Sequence, residues 1–263
     1  MPPAAVALHP TIDRAWLESA AAADPIAHAY ALWDLDRHPD QVRFVSVLRE
    51  GKMDGYLLIW QPPQGPPAVH WVAPPLPEVV SMLPPRPLIL VGPEEVRPLV
   101  HGARGPCVDY TVLVEAAPLG SKRTSTALDA QVRRLSRDDM GSLEELVRES
   151  SDQMALGYAG LDPGPEVVFG GFEGRQLVGI ARASVRRPSV WFVSGVYVRP
   201  AHRKRGWGAA VVRAVMEEAE RAGAPCALFV REDRVEARSV YDRLGFHPVA
   251  RRAWMDCGTG RVA

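Results

Sequence analysis

One stretch constrains this chain more than any other: "SVWFVSGVYVRPAHRKRGWGAAVVRAVMEEAERAG", residues 189–223. An apolar run of strand composition stops at Pro200. Arg199, His202, Arg203, Lys204 and Arg205 then crowd into seven positions. Gly206 and Gly208 open a segment whose apolar residues recur at helical spacing to Ala222, where Gly223 is placed to end it. A helix start carries unpaired backbone N–H groups and the positive end of the helix dipole. Glycines there let a ligand approach the backbone closely and supply positive φ angles. With cations alongside, this is the chemistry of a pyrophosphate cradle. A solvated loop has the same composition, so the turn alone does not decide. Neither G-x-G-x-x-G nor G-x-x-x-x-G-K-[ST] occurs, which speaks against dinucleotide and P-loop sites.

The anion site must be local, because 31 basic residues balance 31 acidic ones over 263 residues. A chain without net charge is not a whole-surface binder of nucleic acid or membrane. With 47% hydrophobic and 24% charged residues it reads as an ordinary globular protein of one large or two small domains. No apolar run is long enough to span a bilayer, and "MPPAAVALHP" lacks the features of a signal peptide. Cys107, Cys226 and Cys257 are odd in number and far apart, so free thiols in a cytoplasmic protein are expected. His28, His38, His70, His101 and His247 show no ligand spacing, and no metal site is expected.

Along the chain, "TIDRAWLESAAAAD" and "IAHAYALWDL" have helical spacing, with Thr11 or Asp13 as a cap. "RFVSVLRE" and "YLLIWQ" read as a hairpin about a Gly51–Gly55 turn, followed by a strand "AVHWVA", a small helix at Pro77–Leu83, a strand "PLILV", a helix from Pro93 and a strand "CVDYTVLVE". Residues 116–126 are small and polar, which suggests domains at 1–118 and 127–263 joined by a linker at 119–126. Beyond it, "LDAQVRRL" reads as a strand. Ser136 with Asp139, and Asp233 with Glu236, form capping boxes for two helices. Strands "EVVFGGFE", "QLVGIARASV" and "SVWFVSGVYV" precede the basic turn, and "PCALFV" follows its helix. The halves also resemble each other: Gly55–Pro75 lies over Gly179–Pro200, and Pro87–Cys107 over Pro225–Phe246. A duplication in which the first half keeps a shortened turn and helix accounts for this; so do two unrelated units of similar alternation.

Two ordered motifs carry a family resemblance. "VYVRPAHRKRGWGAAVV" resembles the acetyl-CoA signature of the GNAT acetyltransferase superfamily at Val198, Pro200, Arg203, Gly206 and Gly208. The family's Ala-x-x-x-Tyr-x-x-x-Gly-Phe element is matched at Ala237, Tyr241, Gly245 and Phe246. The resemblance covers residues 127–257 and implies an α/β fold (an α+β mixed sheet), with a GNAT domain preceded by a smaller, degenerate GNAT-like half. It implies acetyl-CoA as cofactor, its pyrophosphate on Arg203, Lys204, Arg205, Gly206, Trp207 and Gly208. The pantetheine arm would run beside the backbone of Val196, Tyr197 and Val198, where "SVWFVSGVYV" and "PCALFV" splay apart. Gly195 is a bulge there or a point of close packing. Arg234, standing where the family often has Asn, reaches a CoA phosphate or is an exposed first-turn residue. Trp207 covers the adenine or packs under its helix.

The implied reaction is acetyl transfer to a primary amine of a small molecule or peptide, by direct attack. Tyr241 stands at the family's general-acid position; a helix-anchoring role is its other reading. The family's strand carboxylate is missing, so Ser194, Tyr197 or water relays the amine proton, or the amine arrives neutral. Glu173 and His202 read as solvated surface residues. The loop 152–165, with Met154, Leu156 and Tyr158, would line the acceptor site, where Asp152 and Asp162 attract an ammonium. No nucleic-acid or membrane partner is expected, and a homo-oligomer stays open, since the sequence does not give the oligomeric state. The competing readings are a non-catalytic acyl-CoA-binding sensor and, outside this fold, a nucleotide-binding regulator.

Overall fold

Alternating burial along each strand builds the architecture. A computed structural model describes residues 5–63, 65–121, 124–150, 158 and 161–258. It contains β1 (Val6–His9), α1 (Arg14–Ala23), α2 (Ala29–Arg37), β2 (Val42–Arg49), β3 (Lys52–Trp60), β4 (Ala68–Val72), α3 (Pro77–Val80), β5 (Leu88–Gly92), α4 (Val96–Arg104) and β6 (Val108–Ala117). There follow β7 (Val132–Arg134), α5 (Met140–Arg148), β8 (Val167–Glu173), β9 (Gln176–Arg187), β10 (Val190–Val198), α6 (Trp207–Arg221), β11 (Cys226–Arg231), α7 (Val235–Arg243) and β12 (His247–Cys257).

Local chemistry explains most boundaries. Asp13 caps α1, accepting from the amides of Ala15 and Trp16. The β2–β3 hairpin turns at Glu50 and Gly51, both at positive φ, while Gly55 lies within β3. The Ser136–Asp139 capping box forms as expected, with Ser136 N donating to Asp139 at 2.9 Å. The second expected box does not. Arg231 takes both carboxylate oxygens of Asp233 at 2.9 and 2.6 Å, and Arg234 is the N-cap of α7 without a side-chain cap bond. "LDAQVRRL" is likewise not one strand. Asp129 accepts from the Thr126 amide at 2.8 Å and folds Ala127–Gln131 into a 3₁₀ turn, leaving Val132–Arg134 as the strand.

Two compact units result: residues 1–112 with 251–263, and residues 113–250. They are not the consecutive blocks suggested by the linker composition, because β6 and β12 each contribute to both. Unit 1 orders its strands β1-β2-β3-β4-β5-β12, and unit 2 orders its own β7-β8-β9-β10-β11-β6. In each, four antiparallel strands are followed by one parallel pair, β4 with β5 and β10 with β11. The sixth strand of each unit is thus encoded with the elements of the other. The segment between the parallel pair differs most: unit 1 has the four-residue α3 where unit 2 has the fifteen-residue α6.

The expectation of three free thiols is corrected. Cys107 and Cys257 form a disulfide within unit 1, their Cα atoms 4.4 Å apart, and Cys226 is buried and takes no part in a disulfide. Separation along the sequence misled here, because β12 returns to pair Cys257 with Leu88. Among the described residues no helix is long and apolar enough to cross a membrane.

Unit 1 buries the carboxyl of Asp34. Asp34 on α2 is 8% exposed, and burial pushes its pKa up to about 7. A group protonated in the folded state stabilises at low pH; that contribution is lost as pH rises from about 4 toward 7, where the native chain must ionise it. Asp34→Asn should therefore raise the melting temperature at pH 8 and leave it nearly unchanged at pH 4. Thermal unfolding of both chains at the two pH values checks this.

Candidate functional site

The parallel strands β10 and β11 pair only over Trp191–Val193 and Cys226–Leu228. Beyond that, Ser194–Val198 and Phe229–Arg231 have no register partner in each other, and the sheet opens. The cause is local. β10 slips against β9 between Ser194 and Tyr197, with Gly195 at φ +60 inside the slip. The Tyr158 hydroxyl donates to the Gly195 carbonyl at 2.7 Å. A Cβ on Gly195 would lie 2.6 Å from that hydroxyl. Gly195 is therefore both the bulge and the point of close packing.

The open end of β10 runs into the basic turn. Gly206 is the N-cap of α6 at φ +93, a left-handed conformation that suits glycine, and offers no side-chain cap. The first intrahelical bond is Ala210 N to the Gly206 carbonyl, at 3.0 Å, so the amides of Trp207, Gly208 and Ala209 precede the helical ladder. A Cβ on Gly208 would meet nothing nearer than Val198 Cγ2 at 3.7 Å. The protein itself does not require glycine there, and the space beside the amides is clear. Lys204 is exposed, at φ +60. Arg203 is exposed too, but its Nε donates to the Val198 carbonyl at 3.1 Å and its guanidinium lies over the Tyr197 ring.

Several expectations need correction. The Trp207 ring is 1% exposed and packs beneath α6, where a Cβ on Gly171 would come within 2.8 Å of it. Of its two expected roles the packing one holds and the adenine one does not, and only its amide faces the turn. Glu173 is exposed at the surface as expected, whereas His202 is not a surface residue. Glu173 pairs with Arg205 and lies 3.1 Å from His202 Nε2, and the His202 side chain is 11% exposed. The Arg205 hydrogen bond holds the Glu173 carboxyl below the usual range. Asp162 is occupied by Arg137 at 2.7 Å. Asp152, Met154 and Leu156 lie outside the described residues. Arg234 is exposed.

Tyr241 is 9% exposed on α7, edge-on to Phe246 at 5.9 Å. Burial, and secondarily the charge of Glu115, pushes its pKa up to about 12, so the phenol is protonated at neutral pH. Glu115 escaped sequence reasoning. It lies on β6 between Leu113 and Ala117, both in the core cluster that contains Tyr241, and is 3% exposed. Its Oε1 is 3.7 Å from Arg238 Nε, its Oε2 has no hydrogen-bond partner, and burial raises its pKa. An acidic residue at an inward position of an apolar strand was the signal. Arg199 was counted with the basic turn, yet it is 7% exposed and turned inward to Glu145, Glu149 and the Leu177 carbonyl. Ser194 Oγ is buried without a partner, and the Tyr197 hydroxyl reaches the Glu149 carbonyl at 3.5 Å. Among the described residues no three His, Cys, Asp or Glu side chains cluster as metal ligands do.

Comparison with known proteins agrees with this arrangement. The acetyltransferase (GNAT) family model matches residues 131–246. A GCN5-related N-acetyltransferase from Kribbella flavida superposes with a TM-score of 0.62 at 17% identity, over 89% of this chain and 96% of its own. A tandem GNAT protein from the clavulanic acid biosynthesis pathway gives 0.57 at 16% identity, over 98% and 100%. A Drosophila protein gives 0.68 at 11% identity, over 97% and 99%. At these identities the likeness is one of fold, and it extends through the N-terminal half. Residues 131–246 thus form a domain of the GNAT acetyltransferase family, whose members generally transfer acyl groups from acyl-CoA, and the N-terminal half is GNAT-like by fold.

Proposed function

We propose that unit 2 is an acetyl-CoA-dependent N-acetyltransferase that acetylates a primary amine of a small molecule or peptide by direct attack in a ternary complex. The observation that carries this is the opening of the sheet at Val193 and Leu228, immediately beside a helix start with free amides and exposed cations. The residues present fit the cofactor. The amides of Trp207 and Gly208 hold its pyrophosphate across the clear space beside Gly208, with Gly206 setting the turn. Lys204 and Arg203 neutralise phosphate charge, Arg203 leaving the Val198 carbonyl to do so. Arg205 is steadied by Glu173, and Arg234 adds a further exposed cation. The backbone of Val196, Tyr197 and Val198 is the open edge along which an extended chain can pair.

When bound, acetyl-CoA supplies the thioester whose acyl carbon accepts the amine. Backbone amides on the open edge of β10 polarise its carbonyl. Tyr241, protonated and shielded from water, gives its proton to the departing thiolate. Among the described residues unit 1 has no equivalent site. Its α3 is a single turn, and a Cβ on Gly92 of β5 would lie 2.8 Å from the Trp71 Cβ on β4, so those strands stay together. This supports the reading of the first half as a copy that binds no CoA.

Two substitutions test the assignment. Gly208→Asp puts a carboxylate beside the amides that would hold phosphate, at a position where a Cβ meets nothing nearer than Val198 Cγ2 at 3.7 Å. CoA affinity should fall at least ~100-fold, since opposed like charges cost several kcal/mol, with little change in melting temperature. Titration calorimetry showing unchanged affinity would refute the site. Tyr241→Phe should lower kcat by ~10²–10⁴ and leave the CoA dissociation constant unaltered. Unchanged turnover removes the acid role, and CoA binding without turnover of any amine by the wild type supports a sensor instead.

A further inference from the structure

Several arginines buried or half-buried in unit 2 meet carboxylates: Arg199 meets Glu145 and Glu149, Arg213 meets Asp129 and Arg186 meets Glu166. Arg182 on β9 meets none among the described residues. Its guanidinium carbon lies 5.3 Å from the centroid of the Tyr158 ring, and its Nε is buried without a hydrogen-bond partner. A half-buried cation without a counter-charge is unfavourable unless something else supplies the charge.

Its position is informative. Arg182 is the register partner of Ser194, and on its other side of Val168. Residues directly opposite on neighbouring strands share a face, so Arg182 and Ser194 stand side by side on the face covered by Tyr158. Ser194 is the first residue of β10 beyond the last β11 pair, where the sheet begins to open. Its Oγ is also buried and unpartnered. A guanidinium and a hydroxyl, both with unused hydrogen-bonding capacity, therefore flank the head of the cleft.

We infer that the acyl acceptor is an amino acid, and that Arg182 and Ser194 hold its carboxylate at the head of the β10–β11 opening. One positive charge matches one carboxylate, and the planar guanidinium fork matches its two oxygens. This rests on the acyl-transfer reading above. The product is an N-acetyl amino acid: the C–N bond forms, the thioester C–S bond breaks, the amine gives up one proton and the thiolate gains one. Arg182 and Ser194 position the acceptor; they do not exchange these protons.

The test sets the common amino acids against their amides and decarboxylated amines, with the full chain. Melting-temperature shifts of the CoA-loaded protein and release of free thiol are both read. Amino acids should raise the melting temperature where amides do not, and should exceed amides at least ~tenfold in kcat/KM. Arg182→Met should abolish that preference through KM, leaving kcat and CoA affinity within about twofold. The inference falls if amides or amines match the acids, if no amino acid shifts the loaded protein, or if a CoA-binding Arg182→Met variant keeps the preference. Should Arg182→Met lose CoA binding by misfolding, the wild-type comparison decides alone. A wild-type chain that binds no CoA overturns the acyl-transfer reading and this inference with it.

Discussion

The hydrogen bond from the Tyr158 hydroxyl to the Gly195 carbonyl, at 2.7 Å, is the contact on which the site geometry depends. A strand that stayed in register would continue to pair with β11, and no cleft would exist. Instead β10 slips against β9 between Ser194 and Tyr197, and the tyrosine occupies the space that a Cβ at position 195 would need. Tyr158 is 6% exposed among Leu143, Leu146, Val168 and Ile180, so its ring is fixed by apolar packing before its hydroxyl is used. The bulge, the open edge and the direction in which β10 meets the basic turn all follow from that anchor.

Unit 1 shows what the same topology does without it. Its strands follow the same sequence of antiparallel and parallel pairs, yet Trp71 and Gly92 hold β4 and β5 together, and the connection carries one turn of helix. Fold alone therefore does not open the sheet beside a helix start. A bulge, a left-handed glycine and a helix start lacking a side-chain cap are needed together, and only unit 2 combines them among the described residues.

Much of this was legible in the residues. Strand order and helix spacing gave the element list, and the glycines at 206 and 208 marked the turn. What failed did so for identifiable reasons. The capping box at Asp233 lost to a nearer competitor, the Arg231 guanidinium, because a charged pair two residues apart outbids a backbone amide. The disulfide depends on β12 returning to unit 1 from far along the chain, and Glu115, marked only as an acidic residue on an apolar strand, gains its neighbours because the end of β6 lies in unit 2. Trp207 was left between two roles, and the glycine opposite, Gly171, on another strand decides for packing.

Glu115 shows what that strand exchange means for the chemistry. β6 is encoded before the polar stretch at 119–126, yet residues 113–117 lie within unit 2 and place a carboxyl among the neighbours of Tyr241. Arg238 Nε is 3.7 Å away and compensates the carboxyl only in part, so burial dominates its titration. A negative charge near Tyr241 disfavours the phenolate, and a buried acid with a raised pKa limits that charge. The environment of the proposed acid is therefore set by a residue outside the matched family region, and neither consecutive block of the chain contains all of it.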